Sequence, residues 1–416
     1  MPRSLDIDVV IFGGGAAGLW TLDVLSRQGY RCVLIEKTAL GTGQTVGSQG
    51  IIHGGLKYSL DGLLTQSAYQ IRQMPGIWRD CLNGSSEPNL SDVALRSDGC
   101  YLWRTDSLSS RLGMLGAQIG LQVTPQSISK EARPSILKDV PGHVAIMPEQ
   151  VISPTSFIHS LGMRWADRLM HVPNDDVIKF DKDSTGRVTS IRITQSTGEY
   201  ELRCHQVIFS AGQGNATLRE AVGLSADRMQ RRPLHMTIAK GNLPVFNGHC
   251  VDGSKTRVTI TSEVTSDGDV AWQIGGQVAE LGVSMMPEQL IQLTTSELKA
   301  VIPGFDPSCA QWSTYRVDRA EGLTPQGKRP DQPVMHLDHN VITVWPTKLA
   351  FAPSVASQLQ SHLSAHVPIR PGFTLSDLEL MKSFDKPKVA PAVWESATQW
   401  WSIQPNQQPV SVRRVA

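Results

Sequence analysis

Gly13, Gly15 and Gly18 stand at the spacing at which bare backbone can wrap around a diphosphate. They lie in Gly13-Gly14-Gly15-Ala16-Ala17-Gly18, directly after the short apolar run Asp8-Val9-Val10-Ile11-Phe12. Directly behind them, Ala17 to Gln28 carries apolar residues at helical spacing. In that setting each glycine has a task. Gly13 permits a tight turn, Gly15 lets amide groups approach phosphate oxygens, and Gly18 lets the helix close onto the strand, with Ala16 and Ala17 at the helix start. The helix N-terminus adds partial positive charge toward the anion. A second buried strand, Arg31-Cys32-Val33-Leu34-Ile35, ends at Glu36 and Lys37, where the Glu36 carboxylate can accept hydrogen bonds from both ribose hydroxyls. Strand, turn, helix and terminal acid together predict a bound adenine dinucleotide and do not by themselves separate FAD from NAD.

The elements that position these groups are spread along the chain. At 416 residues the protein is long enough for two domains that share an interface. From Gly41 to Gly55 the sequence is rich in Gly, Ser and Thr without periodicity, which predicts a structured loop. A helix start at Ser153-Pro154-Thr155 precedes a stripe of Phe157, Leu161, Trp165 and Leu169, and a hairpin is expected over Val188–Thr194 and Glu199–Phe209. Alternating segments between His235 and Gly276 predict an antiparallel sheet. Helices are expected over Met286–Ala300 and Pro353–Leu363, with a buried strand at Val341–Trp345 between them. The fold class is therefore α/β. A Rossmann-like dinucleotide domain of discontinuous segments is joined to an α+β substrate domain built on an antiparallel sheet.

Bulk composition narrows the function. A formal net charge of +1, with 40% hydrophobic and 19% charged residues, fits a globular enzyme and provides no field to draw in nucleic acid. Six cysteines without a CxxC pair read as reduced thiols, and no His, Asp and Glu group shows metal-ligand spacing, so no metal is expected. No apolar run approaches the roughly 20 residues that span a bilayer. The opening MPRSLDID enters a strand at once, so a cytoplasmic location is expected, with peripheral membrane contact left open.

The stretch from Gly41 to Tyr58, and above all Ile52-His53-Gly54-Gly55-Leu56-Lys57-Tyr58, strongly resembles the second motif of FAD-dependent glycerol-3-phosphate dehydrogenases, within the D-amino-acid-oxidase-like superfamily. The resemblance implies that FAD is the dinucleotide and that Gly43, Thr45, Ser48, Gln49, Gly50 and Ile52 lie along its ribityl chain and ring. It places Val177 at the adenine, and Ala211 and Gly212 beside the dinucleotide in Val207–Gly212. Thr347, Lys348 and Leu349 fall at the pyrimidine edge, where positive charge stabilises the reduced ring. Carried over in the same way, Lys57, Arg319 and Lys348 converge on a substrate anion with Tyr58 beside them, and His235 stands at the entry to the substrate domain. Arg316 competes with Arg319 for that match, and either could instead pair with Asp318 or Glu321. Two departures stand out: Gly50 replaces a family lysine, and Trp345-Pro346 replaces paired glycines, which predicts a bulky ring narrowing the space beside the flavin.

These readings divide the chain into FAD-binding segments at 1–75, 151–230 and 319–370, a cap segment at 76–150, an antiparallel substrate domain at 231–318 and an extension at 371–416. The expected activity is FAD-dependent oxidation of a small anionic alcohol or amine, glycerol 3-phosphate-like or a 2-hydroxy or amino acid. His53 or His235 would be the base. Oxygen, a quinone or a partner protein would take the electrons. An amine or amino-acid oxidase is the alternative, and an RNA-modifying or non-catalytic flavoprotein stands further off.

Overall fold

A computed structural model describes residues 2–54, 66–105, 125–252, 255–325, 327–404 and 410–412. The opening strand Arg3–Phe12 is central to a sheet whose parallel neighbours are Cys32–Glu36 on one side and Gly198–Phe209 on the other. Leu169–His171 and Val341–Trp345 extend the parallel order outward, and Val334–Asp338 closes one edge antiparallel. Both faces of this sheet are covered, so its strands are apolar on both sides. Val9 and Ile11 point into a core shared with the helices Ala16–Arg27 and Ala352–His366, while Val10 and Phe12 point into a second core with Ile191 and Tyr200. Each fully buried aliphatic side chain contributes roughly 1.5–3 kcal/mol over its exposed state.

Among the described residues the second sheet has ten strands and is antiparallel apart from one parallel pair, Gly248–Asp252 with Cys100–Arg104. Its spine is the pairing of Met229–Gly241 with Ala310–Gly322, in register from Met229↔Gly322 to Gly241↔Ala310. The helix Pro287–Val301 packs on it through Ile291 and Leu298, in a core that holds Trp103, Trp272 and Trp312. Cys100–Arg104 and Val144–Met147 join this sheet, as does Trp400–Ser402 from the far end of the chain. Helix Gln66–Leu82 and strand Ala310–Gly322 run through the borders drawn from sequence at 75 and 318.

Local expectations meet two corrections. The helix after Ser153 covers Pro154–Arg164 and stops there, so Trp165 caps it and Leu169 opens a strand; the apolar stripe had joined two elements. Trp345 is fully buried, with its ring 5.9 Å from that of His336, and does not line the cavity described below. It ends a buried strand and fills core, so it does not narrow that space.

Candidate functional site

The glycines of the opening turn divide into two kinds. Gly13 has φ +103°, and a Cβ there would lie 2.5 Å from the Ala211 Cα; a Cβ on Gly18 would lie 2.0 Å from the Gly13 carbonyl oxygen. Both glycines therefore serve the packing of strand, turn and helix, and Gly18 does not line the cavity. At Gly15 a Cβ would meet only Thr45 Oγ1, at 3.1 Å, because the position faces open space.

That space is a cavity of about 1310 Å³ running from the turn to the antiparallel sheet. It exceeds the roughly 300–1,000 Å³ of a single small-ligand pocket. Gly13, Gly15, Ala16, Ala17, Glu36 and Lys37 line its first end. The Glu36 carboxylate accepts the Gly14 amide at 2.6 Å and the Thr38 amide at 2.8 Å, which fixes it while leaving further lone pairs for a ligand hydroxyl. Lys37 pairs with Asp175. Val177 does not face the space, although Val172, Asp175 and Ile178 around it do.

Along the middle run Gly43, Thr45, Ser48, Gln49 and Gly50, opposite Ala211 and Gly212. Gln49 ties this loop to the second sheet by donating to the carbonyls of Thr259 at 3.0 Å and Gln273 at 2.8 Å. Tyr315 donates to the Gly47 carbonyl at 2.9 Å. Ile52 is buried in the core beneath the loop and contributes no surface to the cavity. Thr347, Lys348 and Leu349 close this region from the other side.

Thr347 carries a strain signature. Its φ is +62°, an uncommon value for a β-branched residue, and its buried Oγ1 has no partner. Ser48 Oγ and Ser210 Oγ are likewise buried and unpartnered on the same cavity wall. Buried polar atoms are rarely left orphaned, and three around one cavity point to a polar ligand that completes them. A long polar cavity, a bare turn at a helix N-terminus and a terminal acid fit a dinucleotide with a substituted ring system.

Two groups of side chains occupy the sheet end. In the first, Arg232, Arg319 and Arg329 surround the buried Glu321 carboxylate, at 3.3 Å from Arg232 and 3.7 Å from Arg329. Arg319 also lies 3.6 Å from Glu280, and burial, with Arg232 and Arg329 nearby, lowers its guanidinium to about 10. Arg316 points elsewhere, donating to the carbonyls of Val283 and Met285. Of the two arginines weighed from sequence, Arg319 is the one on the cavity wall.

The second group is His53, Glu149 and His249, all on the cavity wall. Glu149 Oε1 accepts the Gly54 amide at 2.6 Å, while Oε2 is buried without a partner. Burial alone would raise this carboxyl; the pull of the His53 and His249 imidazoles outweighs it and holds the group below its ordinary value. Burial drives His249 down to about 4, against the attraction of Glu149. His235 is not part of the site: it is buried, 3.0 Å through Nδ1 from the Gly282 carbonyl, and burial lowers it. Lys57 and Tyr58 lie outside the described residues. Glu149, His249, Arg232 and Arg329 were not singled out from the sequence; for the first two no local motif marks them.

Fold and site together define a two-domain, dinucleotide-dependent oxidoreductase. The family model for FAD-dependent oxidoreductases, DAO, matches residues 8–344, and by that match the chain belongs to this family and uses FAD. A probable FAD-dependent oxidoreductase of Pseudomonas aeruginosa is 36% identical over 402 residues, 95% of this chain and 100% of that protein. Its crystal structure superposes with a TM-score of 0.80 at 33% identity, over 95% of this chain and 99% of that one. Glycine oxidase from Geobacillus kaustophilus (TM-score 0.63, 15% identity, 90% and 98% covered) shares the fold. So does L-alpha-glycerophosphate oxidase from Mycoplasma pneumoniae, with FAD bound (TM-score 0.62, 15% identity, 88% and 97% covered). Among the described residues no helix is long and apolar enough to cross a membrane.

Proposed function

We propose that the protein oxidises a small anionic alcohol or amine, a 2-hydroxy acid, an amino acid or a phosphorylated polyol. The observation that carries this reading is the arginine group on the cavity wall. Arg232, Arg319 and Arg329 bring three guanidiniums to this wall, among the carboxylates of Glu280, Asp318, Glu321 and Asp331. Guanidinium suits phosphate or carboxylate because it offers paired donors in a planar fork. FAD supplies the hydride acceptor. The chain binds and orients the substrate through Arg319 and its neighbours, and the Gly13–Gly18 turn with the loop from Gly43 to Gly50 holds the cofactor. Lys57, Tyr58 and Lys348 remain in this proposal as additional cationic and polar groups around the substrate.

The proton leaving the hydroxyl or amine needs an acceptor on the cavity wall. Of the two histidines considered, His53 faces the cavity and His235 does not. His53 therefore takes this role. The amine-directed alternative uses the same arginines and the same base. Replacing Arg319 by Met tests the proposal in an anaerobic half-reaction. The concentration of an anionic substrate needed for half-maximal flavin reduction should rise at least tenfold, about the 1.5–3 kcal/mol of a charge-assisted contact. An unchanged concentration dependence would remove Arg319 from the substrate site.

A further inference from the structure

We infer that His53, Glu149 and His249 form a binding site for a divalent transition cation of the zinc type at the sheet end of the cavity. One ligand atom from each, two imidazole nitrogens and one carboxylate oxygen, lies within 4.8 Å of the others. His53 Nδ1 is 3.7 Å and His249 Nε2 is 3.9 Å from Glu149 Oε2. Both distances are too long for a hydrogen bond, so neither imidazole satisfies that buried oxygen directly. A cation between the three atoms would. Ligands around a tetrahedral zinc with bonds of about 2.0–2.2 Å stand roughly 3.3–3.6 Å apart, so the two nitrogen–oxygen distances must close by a few tenths of an ångström and the separation of the imidazole nitrogens, within 4.8 Å, by up to about 1.5 Å.

The surrounding contacts are those that orient metal ligands. His249 Nδ1 lies 3.0 Å from Thr259 Oγ1; the tautomer that donates its Nδ1 proton to that hydroxyl is the one whose Nε2 lone pair is free for a cation beside Glu149. Glu149 Oε1 is fixed by the Gly54 amide, which leaves Oε2 as the free acceptor. His53 retains 43% side-chain exposure, so the fourth position opens into the cavity. The three ligands come from a loop, a segment between two strands and a strand of the antiparallel sheet; the cation would clamp the loop after Ile52 to that sheet.

The consequence for turnover rests on the proposed role of His53. A cation at Nδ1 occupies the lone pair that would otherwise take the substrate proton, so it acts as an inhibitor rather than a cofactor. Binding itself does not depend on that reading and is measured without substrate. The FAD-loaded protein, stripped with chelator and dialysed, is titrated with zinc chloride by calorimetry, and bound zinc is counted after gel filtration. One zinc per chain is expected, with affinity reduced more than tenfold in both H249Q and E149Q. Retention of FAD and an unchanged circular dichroism spectrum show that each variant is folded. If one variant fails this check, the other decides. Absence of stoichiometric zinc in the wild type, or undiminished binding in a folded variant, overturns the site. Zinc that binds without slowing flavin reduction leaves the site standing and removes His53 as the base.

Discussion

Arg329 donates to the carbonyl oxygen of Thr347 at 2.9 Å, and Thr347 is held in the left-handed region at φ +62°. An arginine of the group around Glu321 thereby fixes the backbone of a turn on the cavity wall. A left-handed β-branched residue costs about 1–2 kcal/mol, and the buried Thr347 Oγ1, without a partner among the described residues, is available to a ligand in the cavity.

Substituting Thr347 by Gly should accordingly relieve strain while adding the chain entropy of glycine, roughly 0.5–1 kcal/mol. The two nearly cancel in the cofactor-free protein, so its thermal midpoint should move by only a few degrees. FAD affinity should fall severalfold, read by equilibrium dialysis. A large loss of stability without loss of FAD affinity would show that Thr347 serves packing alone.

Gly13 and Gly15 should respond differently to alanine. At Gly13 the new methyl meets the Ala211 backbone at 2.5 Å with a φ of +103°, so G13A should disturb the fold and lower soluble yield. At Gly15 the methyl meets only Thr45 Oγ1, and G15A should fold and lose FAD if the open space there takes the diphosphate as proposed. Soluble yield and flavin content of the two variants separate these roles; equal FAD retention in G15A would contradict the assignment.

Acid stability follows from His249. Its folded value is about 4 against an ordinary 6.5, so between those pH values the unfolded chain binds a proton that the folded chain excludes. Stability therefore rises with pH through that window and is lost as pH falls. With chelator present, H249Q should show a shallower decline of thermal midpoint from pH 6.5 to pH 4 than the wild type. Parallel declines would mean that the imidazole is not held neutral by burial.

What was readable in the sequence was local. The turn from Gly13 to Gly18 and the acid at Glu36 sit in one strand-turn-helix-strand unit, so their spacing determines their geometry. The helices at Pro287–Val301 and Ala352–His366 were visible from periodicity within a residue or a few. Glu149 and His249 were not visible, because each reaches the cavity only through the pairing of the antiparallel sheet. Ile52 and His235 each lie next to cavity-lining residues, yet their side chains face the interior, an alternation that spacing to a motif does not resolve. Trp345 was misread for the same reason: at the end of a buried strand its direction depends on the sheet register.

The proposed function requires that the arginine-lined wall around Arg319 select anions for oxidation by the bound flavin. Anaerobic mixing of the FAD-loaded protein with matched pairs tests it: glycerol 3-phosphate with glycerol, lactate with propanol, and glycine with methylamine. Bleaching of the oxidised flavin band by the member that carries a carboxylate or phosphate, and not by its counterpart without one, is the predicted result. Equal bleaching by both members of a pair, or none by any anion offered, would contradict the claim.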